Sequence, residues 1–457
     1  MKKILLLNPP SEKILQRDFI CSSSSKADYY WPPIDLVVLS GILKEYNLSV
    51  IDAIIDKKSE GDILNFINKN KPEFIISLVS SIDFENETKL FSKVKTSHPD
   101  IKLIVIGDIA FFEKERVIQN RDIDAILLDF SSKEILEYID NPKNKKIKDM
   151  CYKIKDKTIF NNLQQKKTFS YGKANLNLFN LKKYSVPYSI HNSLAPILMN
   201  YGCPYNCSFC SSGRIGYKLR EINEIKKEIL DFKKKGFKEI FIRDFNFTTN
   251  RKFVKEFCEF MISNKINMLW SCEGRIDNVD EEILLLMKKA GCYLIFFGVE
   301  VGSQKKMDYF QKNIDMKQII NFFKFCKKIK IKTLASFVLA LPDDTKEDIL
   351  RTINFSKRIG ADYASFNLYV PRYGSILREI LIKNKKLKKD NKFDSSTEFN
   401  NFTNLSDEEI QKLHKYAIFS FYLRPTYLIK KLIEIKTISQ FNNHFLNGFK
   451  LFKNILE

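Results

Sequence analysis

A chain of 457 residues is long enough for two or three separate cores. Its 44% hydrophobic and 29% charged content is that of an ordinary globular protein and excludes a wholly disordered one. The net charge is +21, but the lysines fall in short scattered runs such as 233–235 and 385–389. That pattern describes a solvated surface better than one binding stripe, so nucleic acid is not expected as a partner.

Residues 1–140 alternate between strand and helix. Apolar runs at 4–7, 49–51, 74–79, 103–106 and 125–128 predict short buried strands. Helical periodicity lies between them, at 34–45, 63–70 and 88–95. This alternation predicts a doubly wound, Rossmann-like α/β domain with helices on both faces of a parallel sheet. The apolar run at 4–7 is too short for a signal peptide. No stretch approaches the roughly 18 apolar residues of a membrane span. A cytoplasmic location is expected on these grounds. Residues 141–190 read as a linker, polar at 141–146, with a small hairpin over 150–161 and a connector running on to 187.

A second alternating series begins at Pro196 and fills a domain placed at 191–376. Strands are predicted at 197–200, 239–243, 268–272, 293–297, 333–339 and 363–368, with helices between them. Six such units suggest a partial (β/α)6 barrel, open on one side. Barrel chemistry sits on the loops at the carboxyl ends of the strands. Residues 377–457 read as a basic helical region, with helices at 410–422 and 427–435 separated by Pro425.

The most informative motif leaves the first strand of that second series. Cys203, Cys207 and Cys210 form a CxxxCxxC array within Gly202-Cys203-Pro204-Tyr205-Asn206-Cys207-Ser208-Phe209-Cys210. Thiolates are soft ligands that select iron–sulfur clusters, zinc or copper(I). Three of them can wrap one side of a cluster and leave one iron open to a substrate or cofactor. A zinc site would need a fourth ligand, and three simply buried thiols are the remaining alternative. The other cysteines (Cys21, Cys151, Cys258, Cys272, Cys292 and Cys326) are too dispersed for a second cluster and read as small buried side chains.

The array resembles the signature of the radical S-adenosylmethionine (SAM) superfamily. The preceding doubly wound domain is similar to that of its cobalamin-binding members, which include methyltransferases and the anaerobic cyclase of chlorophyll synthesis. Pro32-Pro33-Ile34-Asp35-Leu36, the stretch from Gly291 to Ser303, and Leu341-Pro342-Asp343-Asp344-Thr345 are similar to further family segments. The resemblance implies that the three cysteines hold a [4Fe–4S] cluster whose open iron chelates SAM. Reductive cleavage of SAM would then yield a 5′-deoxyadenosyl radical that attacks an unactivated C–H bond. An electron donor such as flavodoxin or ferredoxin would be needed.

Four cofactor-binding candidates follow from the resemblance, each with a structural alternative. Phe209 would pack beside the adenine, or fill its own loop. Asp244 would hold SAM's amino group, or cap the helix after Asn250. Arg275 would meet SAM's carboxylate, or pair with Asp277 or Glu273. Glu300 would face ribose or methionine, or form a structural ion pair. Cobalamin is the further cofactor the resemblance implies, and two segments depart from the family's pattern for it. Gly107-Asp108 and Asp129-Phe130-Ser131-Ser132 stand where the family often has glycine-rich turns, and their bulk and charge would crowd a nucleotide tail.

The resulting reading is a radical SAM enzyme, with cobalamin-dependent methyl transfer to a small or lipid-like substrate as the first form. Its alternatives are a cobalamin-free oxidoreductase, cyclase or rearrangement enzyme, and a non-enzymatic iron–sulfur or corrinoid sensor. Aromatic and basic residues at 416–424, 427–433 and 445–455 leave an anionic membrane surface open as a partner, against packing of these helices on the barrel.

Overall fold

The computed structural model describes residues 1–19, 22–25, 29–155, 157–186, 188–191, 194–388 and 399–434. The expected helix over 445–455, the end of the connector at 187 and Cys21 lie outside these residues.

The N-terminal region is a seven-stranded sheet built from β1 (Lys3–Asn8), β2 (Asn47–Asp52), β3 (Phe74–Leu78), β4 (Lys102–Ile106), β5 (Ala125–Leu127), β6 (Met150–Ile154) and β7 (Lys157–Phe160). Its order is β2-β1-β3-β4-β5-β6-β7, parallel through β5. Near-continuous burial along β1, β3 and β4 reflects cover on both faces, as parallel strands require. The order reverses between β1 and β3, and that switch point is where such sheets open a crevice for ligands. The hairpin expected within the linker does form, but it is not separate. β6 pairs antiparallel with β5 and extends the sheet. Burial of Met150, Cys151 and Tyr152 supplies the reason.

The second region is a six-stranded parallel sheet in strict chain order. It comprises β8 (Leu194–Ile197), β9 (Glu239–Ile242), β10 (Leu269–Gly274), β11 (Cys292–Glu300), β12 (Lys332–Leu339) and β13 (Tyr363–Leu368). β8 and β13 do not pair, so the barrel is partial, as expected from the sequence. On β11 to β13 the half-buried positions alternate: Phe296, Gly298 and Glu300, then Ser336 and Val338, then Tyr363, Ser365 and Asn367. This period of two separates an accessible interior face from one covered by helices.

The expected strand at 197–200 divides in two. β8 ends at Ile197, and Asn200–Gly202 turns away to pair antiparallel with Tyr217–Arg220. The cysteine array is therefore the loop of a hairpin. Two buried cations anchor its return strand. Lys218 pairs with Asp129 at the end of β5 and lies over the Tyr201 ring at 4.8 Å. Arg220 pairs with Glu228 at 2.6 Å and stacks 3.6 Å from the Tyr171 ring.

The C-terminal helix Asp407–Tyr422 packs against β13. The Tyr422 hydroxyl donates to the Ala364 carbonyl at 2.7 Å, and Phe421 meets Phe366. This helix therefore follows the packing alternative. Among the described residues no helix is long and apolar enough to cross a membrane.

Removing one member of a buried ion pair strands the other charge. Glu228→Ala is expected to cost about 3–5 kcal/mol of unfolding free energy, read from urea denaturation followed by circular dichroism.

Candidate active site

The cysteine loop is clamped at several points. Gly202 has φ of +81°, and a Cβ there would stand 1.7 Å from the Gly216 carbonyl oxygen, so the two arms of the hairpin approach as only glycine allows. The Cys203 amide donates to that same carbonyl at 3.1 Å. The Ser208 amide donates to the Phe310 carbonyl at 3.0 Å, and the Ser208 carbonyl accepts from Leu377 at 2.8 Å. The loop is thus held between the barrel and the helix Ile376–Lys383.

All three thiols are free; Cys207 is buried, and Cys203 and Cys210 are partly accessible. Burial pushes the Cys203 thiol up to about 11. Burial also raises Cys207, opposed by the nearby charges of Lys312 and Arg275. The Arg275 guanidinium donates to Cys207 Sγ at 3.4 Å. Cys210 Sγ accepts from the Ser212 amide at 3.4 Å and donates to the Ser212 hydroxyl at 3.2 Å. Cations and donors aimed at sulfur are what a set of thiolates needs, and they tune an iron–sulfur cluster's potential.

The structure brings Arg275 and Glu300 into one network with Cys207. Arg275 forms the ion pair with Asp277 through two bonds of 3.0 and 2.9 Å, and it stacks 3.9 Å from the Tyr205 ring. It also donates to the Lys312 carbonyl at 2.8 Å. The Lys312 ammonium is paired with Glu300 at 3.1 Å. Glu300 itself has φ of +73°, and a register shift interrupts the β11–β12 ladder there. Such a kink at a strand end re-aims the side chain. Phe209 packs edge-on against Phe310, with the Lys312 ammonium 6.0 Å from its ring.

Asp244 lies on the Cys203 side, buried at the end of β9. It does not cap the following helix, whose cap is Asn250 accepting from Phe253. Instead its Oδ1 accepts from the Met199 amide at 2.7 Å, tying β9 to the segment that enters the hairpin. Burial pushes its carboxyl up to about 8. Its Oδ2 and Asn200 Oδ1 are buried without a partner at hydrogen-bond distance, while the nearby Tyr217 hydroxyl interacts with Thr249.

Sequence reasoning missed Lys312, Asn200, Tyr217 and Ser212. Ser212 stands two residues after the array and could have been found by position. Lys312 carried no signal, because it lies in a short loop between positive-φ residues Gln311 and Asn313.

With this geometry in view, comparison with known proteins is direct. Residues 197–356, from the end of β8 through the helix before β13, match the Radical SAM superfamily. The chain is a radical SAM enzyme. It is 28% identical to an uncharacterized methyltransferase, PH0819, of Pyrococcus horikoshii, over 94% of this chain and 95% of that protein. Among solved structures it resembles the radical SAM methyltransferase TsrM from Kitasatospora setae, with a TM-score of 0.69 at 14% identity, over 84% of this chain and 76% of that one. It also resembles the cobalamin-dependent SAM radical enzyme OxsB, with a TM-score of 0.67 at 12% identity, over 99% of this chain and 72% of that one. At these identities the two structures establish a shared two-domain fold.

A radical SAM domain implies a [4Fe–4S] cluster and SAM. The residues fit a cluster: three thiols on one clamped loop, a guanidinium at one sulfur and a serine at another. Substituting Cys203, Cys207 or Cys210 by alanine is expected to reduce iron after anaerobic reconstitution to near background, with an unchanged far-ultraviolet spectrum. Arg275→Leu is expected to retain iron and to lower the cluster's reduction potential, read by redox titration under paramagnetic resonance.

Proposed function

We propose that this enzyme reductively cleaves SAM and transfers a methyl group, with cobalamin as carrier, to an unactivated carbon of a small or lipid-like substrate. The observation that carries the proposal is the cysteine hairpin clasped between the two regions by Lys218 and Asp129, which sets the cluster loop beside the N-terminal sheet. When bound, the cluster supplies an electron to SAM and cobalamin supplies the methyl group.

The chain's own residues divide the remaining tasks. Cys203, Cys207 and Cys210 hold the cluster. The unpartnered oxygens of Asn200 and Asp244 offer buried partners to the amino and hydroxyl groups of SAM. Arg275 and Lys312 balance thiolate charge, and Glu300 is oriented by Lys312. The interior face of β11 to β13 mixes Phe296, Val338 and Tyr363 with Ser336, Ser365 and Asn367, a lining suited to a largely apolar substrate with few polar groups. In this reading cobalamin would lie at the seam between the regions, near two polar groups that have no partner in the chain. The Trp31 indole N–H and the Tyr201 hydroxyl are both buried there without partners. Reduction by an acidic flavodoxin or ferredoxin is favoured by the net charge of +21.

One observation favours the cobalamin-free alternative. The switch-point crevice is already filled. Arg17 is fully buried there, donating to Asn8 Oδ1 at 2.8 Å and to Glu87 at 2.7 Å, and Asn8 donates to Asp52 at 2.9 Å. The residues expected to crowd a nucleotide tail are also engaged. Asp108 accepts from Ser22 and Ser81, and Phe130 packs against Phe19 and Tyr201.

Anaerobically reconstituted protein given dithionite and SAM is expected to release 5′-deoxyadenosine, detected chromatographically. After incubation with hydroxocobalamin and gel filtration it is expected to keep corrinoid absorbance near one equivalent. Release of 5′-deoxyadenosine without corrinoid retention would leave the cobalamin-free alternative.

A further inference from the structure

One carboxylate on the interior face of the barrel is only half engaged. Glu273 stands near the end of β10, and its register partner on β11 is Phe296, one of the half-buried positions of that face. Register partners on neighbouring parallel strands point to the same side, so Glu273 belongs to the interior face. Its Oε1 accepts from the Arg243 guanidinium at 2.9 Å. No described residue donates to Oε2, and 42% of the side chain is exposed. Burial nevertheless raises its carboxyl above the usual range, so the surface it shows lies between protein walls and not in open solvent.

The surroundings set what this space can take. Phe296 stands beside the acid, and Val338 and Tyr363 lie farther round the same face. The Tyr188 ring packs 4.4 Å from Tyr363 and 6.0 Å from Phe296, and it closes the face toward the amino ends of the strands. Charge near Glu273 does not balance. The charged groups whose fields reach it are Arg243 and Asp18. Arg243 also binds Asp18 at 2.9 Å, so one guanidinium serves two carboxylates and one negative charge is left over. Asp244, whose carboxyl burial pushes up to about 8, stays protonated at neutral pH. The Lys431 ammonium, 4.2 Å over the Tyr363 ring, stands three strands away on β13. An acid present only to hold Arg243 would duplicate Asp18 and would be covered. A carboxylate with one bare oxygen in a walled, largely apolar space recruits a cation that brings its own donors, and a primary ammonium is such a group.

We propose that Glu273 anchors the substrate through a primary ammonium group, with the substrate's apolar body lying along Phe296, Val338 and Tyr363. The proposal rests on the reading of the interior face as the substrate lining, and it adds the chemical handle by which the substrate is held.

The test uses cluster-reconstituted full-length protein and three probes of equal length: hexylamine, hexanol and hexanoate. Binding is followed by tryptophan fluorescence, since the Trp31 ring lies 4.7 Å from the Arg243 guanidinium. Hexylamine is expected to bind about tenfold to a hundredfold more tightly than hexanol, the worth of a charge-assisted hydrogen bond, and hexanoate more weakly than either. Glu273→Gln keeps an oxygen for Arg243 and loses the charge. It is expected to cut the preference for the amine to no more than about twofold and to leave hexanol affinity unchanged. If Glu273→Gln loses hexanol as well, Glu273→Asp decides: a kept preference for the amine supports the proposal, and a lost one overturns it. Equal binding of the three probes by the wild type, binding of none of them, or a preference that survives in Glu273→Gln also overturns it. Release of 5′-deoxyadenosine by the same preparation is scored separately. Release without amine preference removes the handle and leaves the SAM-cleavage reading standing. Amine preference lost in Glu273→Gln, without release, removes that reading and leaves the ammonium site.

Discussion

The structure depends on two cations buried on one short strand. Lys218 and Arg220 sit on the same face of Tyr217–Arg220, and each needs a carboxylate to be tolerable inside the protein. Asp129 at the end of β5 receives one, and Glu228 on the following helix receives the other. Neither pair forms unless the hairpin lies in one position between sheet and barrel. The cysteine loop at its tip is thereby placed, and its freedom is spent before any cluster is bound. Preorganisation of that kind suits a site that must present three sulfurs at fixed positions.

The same contact joins the two regions. Asp129 belongs to the N-terminal sheet and Lys218 to the barrel, while Phe19 and Phe130 enclose Tyr201 beside them. Arg243 repeats the arrangement on the far side, reaching from β9 to Asp18. Among the buried oxygens and N–H groups without partners, Asp35 and Trp31 lie along this seam, and Tyr201, Asn200 and Asp244 at the entry to the hairpin. In folded proteins such groups are few, and each calls for an explanation. Asn200 and Asp244 stand where the chain enters the cysteine hairpin, a placement that suits a site completed by a cofactor.

Charge around the sulfurs is layered. Arg275 meets Cys207 directly, and Lys312 stands behind it, held by Glu300. Asp277 and Tyr205 fix the guanidinium, and Asn278 donates to the Tyr205 hydroxyl at 2.5 Å. A chain of contacts thus runs from the ends of β10 and β11 to one cysteine. Each strand delivers its residue at its carboxyl end, where barrels place their chemistry.

The sequence by itself determined the strand–helix alternation of both regions, the CxxxCxxC array on the loop after the first barrel strand and the position of Arg275 and Glu300 at strand ends. These are local matters of apolar period, residue type and spacing along the chain. It did not reveal that the 150–161 hairpin extends the N-terminal sheet, that 197–200 divides in two, or that Lys312 stands beside Cys207. Nor did it show that Asp244 leaves the helix cap to Asn250 and accepts from Met199 instead. Those outcomes depended on which distant residues meet. Lys218 finds Asp129 across 89 positions and Arg275 finds Cys207 across 68, separations that no local pattern encodes. Tertiary structure decided them, because a buried charge or acid is defined by the partners that packing provides or withholds.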